Sequence, residues 1–404
     1  MKQLLAVLVL LSSLSLEAQR RRPSAPPAPP SAPPAPQSLQ FGAPLPNLPP
    51  SLMPLFGAGR RQFVDHQTVA DGLGPIFNGR SCGECHFAPI TGGSGGRVVL
   101  RIGTVVNGVF DPLTHLGGSL LQGGAVTERD GATHSFRGET PPKEATIVAR
   151  RRTTTLFGLG LVDATDDATF IALAQQQSAR NDGTAGRVAL VDNIRAGMKT
   201  VGKFGWKAQV PTLHQFSGEA YLNELGITSP DFPDEHCPSG KCDELRFNPQ
   251  PGLNDSGVKV DATASYMRFL GPPPRGPITA DVTAGEAVFL RIGCDACHTP
   301  ALQTGRNENP ALDRVTYHPF SDFLLHDMGS LGDGIEQGAA KGTEMRTAPL
   351  WGLRVMSRFL HDGRATTLED AILAHDGQGL AARERFAALN ATDRARLLAF
   401  LRSL

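Results

Sequence analysis

Two short segments of this 404-residue chain carry the groups that could do chemistry. Cys82-Gly-Glu-Cys85-His86 and Cys294-Asp-Ala-Cys297-His298 repeat one pattern, Cys-x-x-Cys-His. Each puts two thiols and an imidazole on a single helical turn, the arrangement that anchors c-type haem. The cysteines add to the haem vinyl groups and the histidine binds iron from the proximal side. A Cys-x-x-Cys pair can also be a dithiol redox centre or half a zinc site. Zinc would need the four cysteines to converge, whereas these pairs lie far apart in sequence and each brings its own histidine. Two haems in one chain imply redox work.

The remaining cysteines, Cys237 and Cys242, close a short Pro/Gly loop and read as a structural disulfide in an oxidising compartment. That compartment is indicated at the N-terminus. Met1-Lys2, the apolar run Leu4–Leu11 and Leu16-Glu17-Ala18 form a signal-peptide pattern over residues 1–18. The run is too short to span a bilayer. Export to a bacterial periplasm agrees with the place where c-type haem is attached. Residues 19–58 read as a Pro/Ala-rich disordered linker, extended because such a segment has little apolar surface to bury. The 39 basic and 39 acidic residues balance, which argues against nucleic acid and a strongly electrostatic membrane role.

The elements that must position these groups are mostly helical. Short helices and long loops wrapped around a porphyrin explain 45 Gly and 32 Pro beside few aromatics. The fold expectation is therefore mainly α, with two cytochrome c-like haem domains over residues 59–275 and 276–404. Arg97-Val-Val-Leu-Arg-Ile102 alternates and is β-branched between Gly-rich flanks, so it predicts a small β-hairpin inserted in the first domain. In the second, Thr367-Leu-Glu-Asp370 starts a helix, and Leu368, Ala371, Ile372 and His375 follow at i, i+3, i+4 and i+7. His375 thus shares an apolar face. A histidine there is more often a satisfied core residue, but an iron held by His298 needs a ligand opposite, with Met328 and Met356 as competitors.

Three further stretches carry a resemblance: Arg346-Thr-Ala-Pro-Leu-Trp-Gly-Leu353, Phe359-Leu-His-Asp-Gly-Arg364 and Thr367-Leu-Glu-Asp-Ala371. They resemble the second-haem domain of bacterial di-haem cytochrome c peroxidases. Phe320-Ser-Asp-Phe-Leu-Leu-His-Asp-Met-Gly329 and Lys203-Phe-Gly-Trp-Lys-Ala208 are similar to the di-haem oxidoreductase branch once labelled thiol oxidoreductases. The resemblance covers about Phe63 to Leu404.

The resemblance implies a peroxidatic first domain and an electron-transferring second one. In the peroxidases the second haem's distal ligand lies fourteen residues beyond the His of His-Asp-Gly, and from His361 that count reaches His375. The family usually has Met there. Imidazole in its place lowers the reduction potential. The family's Trp between the haems, then Gln and Glu at the peroxide site, correspond to Trp206, Gln215 and Glu224. By pattern Glu224 shares a helical face with Leu213, Phe216 and Ala220, where burial would raise its pKa; Gln215 points off that face unless Gly218 breaks the helix. Glu219 is the nearest competing acid. His115 and His134 are candidates for the position opposite His86. Thr347 and Pro349 match carbonyl ligands of the family's inter-haem calcium. Arg152 stands where an Asn is expected, so a guanidinium can replace the ion's charge, and calcium is left an open expectation.

Three function classes follow. A peroxidase, reducing hydrogen peroxide with electrons from a small cytochrome c or cupredoxin, needs an open haem and a general acid. An electron carrier needs neither. A third class oxidises a protein or organic partner through a high-valent di-haem state. The resemblance also implies a possible homodimer; no residue specifically supports thiol oxidation.

Overall fold

The computed structural model describes residues 40–404. The signal peptide expected at 1–18 and the linker up to residue 39 lie outside the described residues. Among the described residues, no helix is long and apolar enough to cross a membrane.

The linker expectation ends too late. Leu45 and Leu48 are buried, and a helix, Met53–Val64, begins inside the stretch assigned to the linker. The prolines there dominate the composition, but Leu45, Leu48 and Phe56 give the segment apolar side chains that join the core. Pro54 costs nothing because it falls in the first helical turn, where its missing N–H has no partner to lose.

Helix exceeds strand, 35% against 15%, in keeping with the mainly α expectation. Two helix pairs set the frame. Met53–Val64 lies so close to Val258–Phe269 that a Cβ at Gly59 would sit 2.3 Å from the Ala262 carbonyl oxygen. Ala280–Arg291 meets Ala391–Leu401 equally closely, since a Cβ at Gly285 would be 2.0 Å from the Arg396 carbonyl oxygen. Glycine is required at both crossings. The second pair carries its own apolar cluster, in which Phe289, Phe320 and Phe400 pack edge-on. The largest cluster spans the expected boundary between 275 and 276, joining Phe63, Leu213 and Tyr266 to Tyr317, Phe323 and Trp351.

The alternating stretch after the first Cys-x-x-Cys-His becomes more than a hairpin. Val98–Val106 turns back on Val109–Asp111 but also pairs antiparallel with Leu120–Leu121 and with Ile147–Arg152, giving a four-stranded sheet. The fourth strand reads Ile-Val-Ala-Arg-Arg-Arg, and its arginine run hides the alternation by which Ala149 and Arg151 point inward. Cys237 and Cys242 are disulfide-bonded.

Candidate functional site

Both Cys-x-x-Cys-His segments are single turns, Cys82–Glu84 and Cys294–Ala296. In each, the histidine amide donates to the carbonyl of the first cysteine at 3.0 Å, which brings both thiols and the ring onto one turn. All four thiols are free and half-buried. Burial, with smaller contributions from neighbouring negative groups, pushes Cys82 and Cys294 up to about 12 and Cys85 up to about 11. They are protonated thiols, the form that adds across a double bond to give a thioether.

The imidazoles are oriented by the main chain. His298 Nδ1 donates to the Phe320 carbonyl at 2.9 Å, His375 Nδ1 to Ala371 at 2.8 Å and His86 Nδ1 to Gly93 at 3.2 Å. A carbonyl can only accept, so the proton is on Nδ1 and the lone pair on Nε2 is free to bind a metal. Burial holds His86 and His298 down to about 4 and lowers His375 as well, so all three rings are neutral.

The second segment opens into a cavity of about 320 Å³ with mainly apolar walls. Cys294, Cys297, His298 and His375 all line it, and the rings of His298 and His375 lie 6.5 Å apart. That separation accommodates one metal bonded to both rings at about 2 Å per nitrogen. The residues therefore fit a haem with two imidazole ligands. Thr367 caps the helix Leu368–Leu373 through its hydroxyl, as the sequence pattern indicates, but the helix is short and His375 follows its end. Leu368, Ala371, Ile372 and His375 still line the cavity together. Met328 and Met356 line it too.

At the first segment, Glu224 is a buried acid brought in from a distant part of the chain. It sits at the end of the helix Leu213–Leu225, where its carbonyl accepts from the Asn78 and Gly79 amides and its Oε2 accepts from Asn78 Nδ2 at 3.0 Å. Gly123 N–H donates to Asn78 Oδ1, which turns the amide so that its NH₂ faces Glu224. Burial raises the Glu224 pKa, while Asn78 and the guanidinium groups of Arg101 and Arg97 oppose the rise. The Glu224 charge in turn raises both Cys82 and Cys85, so the carboxylate lies within electrostatic reach of the thiols. Burial, helped by Glu224, pushes Glu219 up to about 7 against the pull of Arg101. The donor set of His86, Cys82 and Cys85 fits a second c-type haem with an acid beside it.

Gln215 is not brought to this acid. The helix runs unbroken through Gly218, which is small because a Cβ there would lie 2.9 Å from the Phe232 ring. Nine residues along a continuous helix separate Gln215 from Glu224 by about 13 Å and half a rotation. The Gln215 side chain instead pins the hairpin 190–201, accepting from Ile194 N–H and donating to the Asp192 carbonyl, each at 3.0 Å. His115 is exposed, and the His134 ring stacks on Phe247 at 4.5 Å. Neither is directed to His86.

Trp206 borders the large cavity and a smaller one formed with Thr153, Thr154 and Phe216. Its Nε1 donates to the Arg152 carbonyl at 3.0 Å, and its ring meets His361 edge-on at 6.2 Å. Arg152 donates to Ser94 Oγ at 2.7 Å and to the Arg358 carbonyl. Pro349 lines both cavities with Arg152, and Thr347 lines the larger one with it. Among the described residues, no cluster of three or more His, Cys, Asp or Glu could hold a metal ion.

Sequence reasoning missed four residues. Asn78 looks like an ordinary loop residue. His326 and Asp322 fall inside a quoted motif, but their buried pairing at 2.9 Å depends on the fold. Lys207, next to Trp206, is fully buried and donates to Asp333 at 3.0 Å and to three carbonyls.

The chain belongs to the family of di-haem oxidoreductases, putative peroxidases, whose sequence profile matches residues 140–404. The match contains the second Cys-x-x-Cys-His and begins beyond the first. No curated protein matches. Solved structures similar to the chain include hydrazine synthase of Kuenenia stuttgartiensis, at 16% identity over 95% of this chain and 100% of that one, with a TM-score of 0.41. The di-haem peroxidase BthA of Burkholderia thailandensis is similar at 15% identity, 88% and 86% coverage and TM-score 0.40. A MauG-like protein associated with microbial copper homeostasis is similar at 15%, 92% and 94%, and 0.39.

Proposed function

We propose that this chain is a periplasmic di-haem c-type peroxidase. In this reading Cys82, Cys85 and His86 hold the haem at which hydrogen peroxide is reduced. Cys294, Cys297, His298 and His375 hold the one that receives electrons from a small donor protein such as a cytochrome c or cupredoxin. Bound haem would supply the iron that takes peroxide at the first site and the electron storage at the second.

The observation that carries this reading is the inequality of the two sites. At the second, the imidazoles of His298 and His375 lie 6.5 Å apart, a separation at which both would bind the iron of a bound haem. At the first, the ring of His86 is accompanied by a carboxylate instead. Reducing peroxide to two waters consumes two electrons and two protons. Glu224, with a pKa raised by burial and its oxygen oriented by Asn78, is suited to accept a peroxide proton and return it to the departing oxygen. Trp206 lines the cavity of the second site, and in this reading it carries electrons toward the first.

Glu224→Gln keeps size and one hydrogen-bond acceptor but cannot exchange a proton. Intact mass should still show both haems, and peroxide-dependent oxidation of a reduced cytochrome c in stopped flow should fall by about 10²- to 10⁴-fold. Unchanged turnover would sink the assignment. A long-lived oxidised species that ignores the cytochrome would instead favour oxidation of a protein or organic partner.

A further inference from the structure

A buried series of hydrogen bonds ends on the second Cys-x-x-Cys-His. Gly186 N–H donates to Gln177 Oε1 at 2.8 Å, and Gln177 Nε2 donates to Asp322 Oδ2 at 2.7 Å. The same oxygen faces His326 Nε2 at 2.9 Å, and His326 Nδ1 lies 3.4 Å from Cys297 Sγ. Asp322 and His326 are 0% and 1% exposed, and the His326 ring borders the cavity that holds His298 and His375. Only glycine fits at 186, where a Cβ would stand 2.5 Å from the ring.

The proton positions follow from what each partner can do. A carboxylate accepts, so His326 Nε2 carries a hydrogen. A free thiol at Cys297 can donate its S–H to Nδ1, which leaves the ring neutral. A thioether has no hydrogen to give and its sulfur can only accept. Once Cys297 is a thioether, the ring satisfies both neighbours only with hydrogens on both nitrogens.

We propose that covalent attachment at Cys297 locks His326 as a buried imidazolium at the edge of the second cofactor, and that this charge raises the reduction potential of the His298–His375 site. The inference rests on the reading that haem is thioether-linked there. The ring stands between Asp322 and the sulfur, so the positive end of the pair faces the cofactor and the negative end faces away. A positive charge in a poorly screened interior favours the state that has gained an electron. Burial disfavours the charge, and the Asp322 carboxylate, 2.9 Å from Nε2, offsets that cost. The device opposes the fall in potential that two imidazole ligands bring, bringing the site back within reach of an ordinary high-potential donor.

The test is a potentiometric titration of the full haem-loaded chain, followed by absorbance, with intact mass recording attachment. His326→Gln retains a donor for the sulfur and a donor for Asp322 but no charge. The midpoint of the second site should fall, with the oxidised-to-reduced ratio at a fixed potential rising about tenfold or more and the six-coordinate spectrum retained. Asp322→Asn removes the carboxylate that keeps the ring charged and should lower the midpoint as well. Unchanged midpoints with both haems attached, or a rise in either variant, would overturn the inference. A native chain carrying no haem on Cys294 and Cys297 would overturn the attachment reading on which it rests.

Discussion

His375 is the residue on which the character of the second site turns. Its Nδ1 is held by the Ala371 carbonyl, and its ring lies 6.5 Å from that of His298. Replacing it by Met supplies a poorer electron donor, so His375→Met should raise the midpoint potential of that site and remove its bis-imidazole paramagnetic resonance signature. A spectrum and midpoint like the native ones would show that His375 is not a ligand. The grouping of Cys294, Cys297 and His298, and of His375 with Leu368, Ala371 and Ile372, was readable from sequence because it is local, five consecutive residues in one case and an eight-residue stretch in the other. Asn78 was not readable, because its contact with Glu224 crosses 146 residues of chain. The Cys297–His326–Asp322 series is hidden for the same reason.

The helix Leu213–Leu225 separates an element's structural duties from its chemical ones. Its first turn ties down the hairpin 190–201 through Gln215, while its last turn presents Glu224 beside the first Cys-x-x-Cys-His. Gln215→Ala should therefore speed hydrogen exchange at the Ile194 amide while leaving peroxide turnover within about twofold of native; a loss comparable to that of Glu224→Gln would restore Gln215 to the reaction. The helical face was legible in Leu213, Phe216, Ala220 and Glu224, and the structure adds the cap Thr212, whose hydroxyl accepts from the Gln215 amide. What misled was Gly218. A glycine inside a helical pattern signals either a break or a close neighbour, and only the position of Phe232 decides between them. The linker boundary failed for a related reason. Proline density outweighed the few leucines that pull residues 45–58 into the core.

Across the whole molecule, distant segments are joined by a buried ionic cluster beneath Trp206. Asp333 pairs with Arg151 at 2.7 Å and with Lys207 at 3.0 Å, and the Lys207 side chain is fully buried. Arg151 Nη2 has no hydrogen-bond partner among the described residues. Removing the one carboxylate leaves two cations in a dry interior, so Asp333→Asn should cost about 3–5 kcal/mol in denaturant unfolding; a loss below about 1 kcal/mol would mean that water reaches the cluster. Acidity acts at the same scale. Burial pushes Glu235 up to about 8, against His236 and Asn248, and Glu219 up to about 7. A carboxyl raised above its unfolded value of 4.5 favours the fold fully below that pH, and the preference is lost as pH climbs through the folded value. Below about pH 6.5 the depressed His86 and His298 oppose this trend, so unfolding midpoints should decline between about pH 6.5 and 8, and the decline should flatten in Glu235→Gln; a midpoint that rises over that range would contradict it.

The carbonyls that orient His86, His298 and His375 belong to the main chain of Gly93, Phe320 and Ala371. No exchange of side chain at those three positions deletes the oxygen. The ligand geometry is thereby shielded from most single-codon drift. Saturation mutagenesis should show intolerance at each histidine without a matching polar dependence in its partner. His326 is the opposite case, because Asp322 and Gln177 act through side chains that one mutation can erase. Across divergent lineages the three histidine rings can stay fixed while the charge proposed beside Cys297 is gained or lost, which would let evolution retune the potential of one site without rebuilding it.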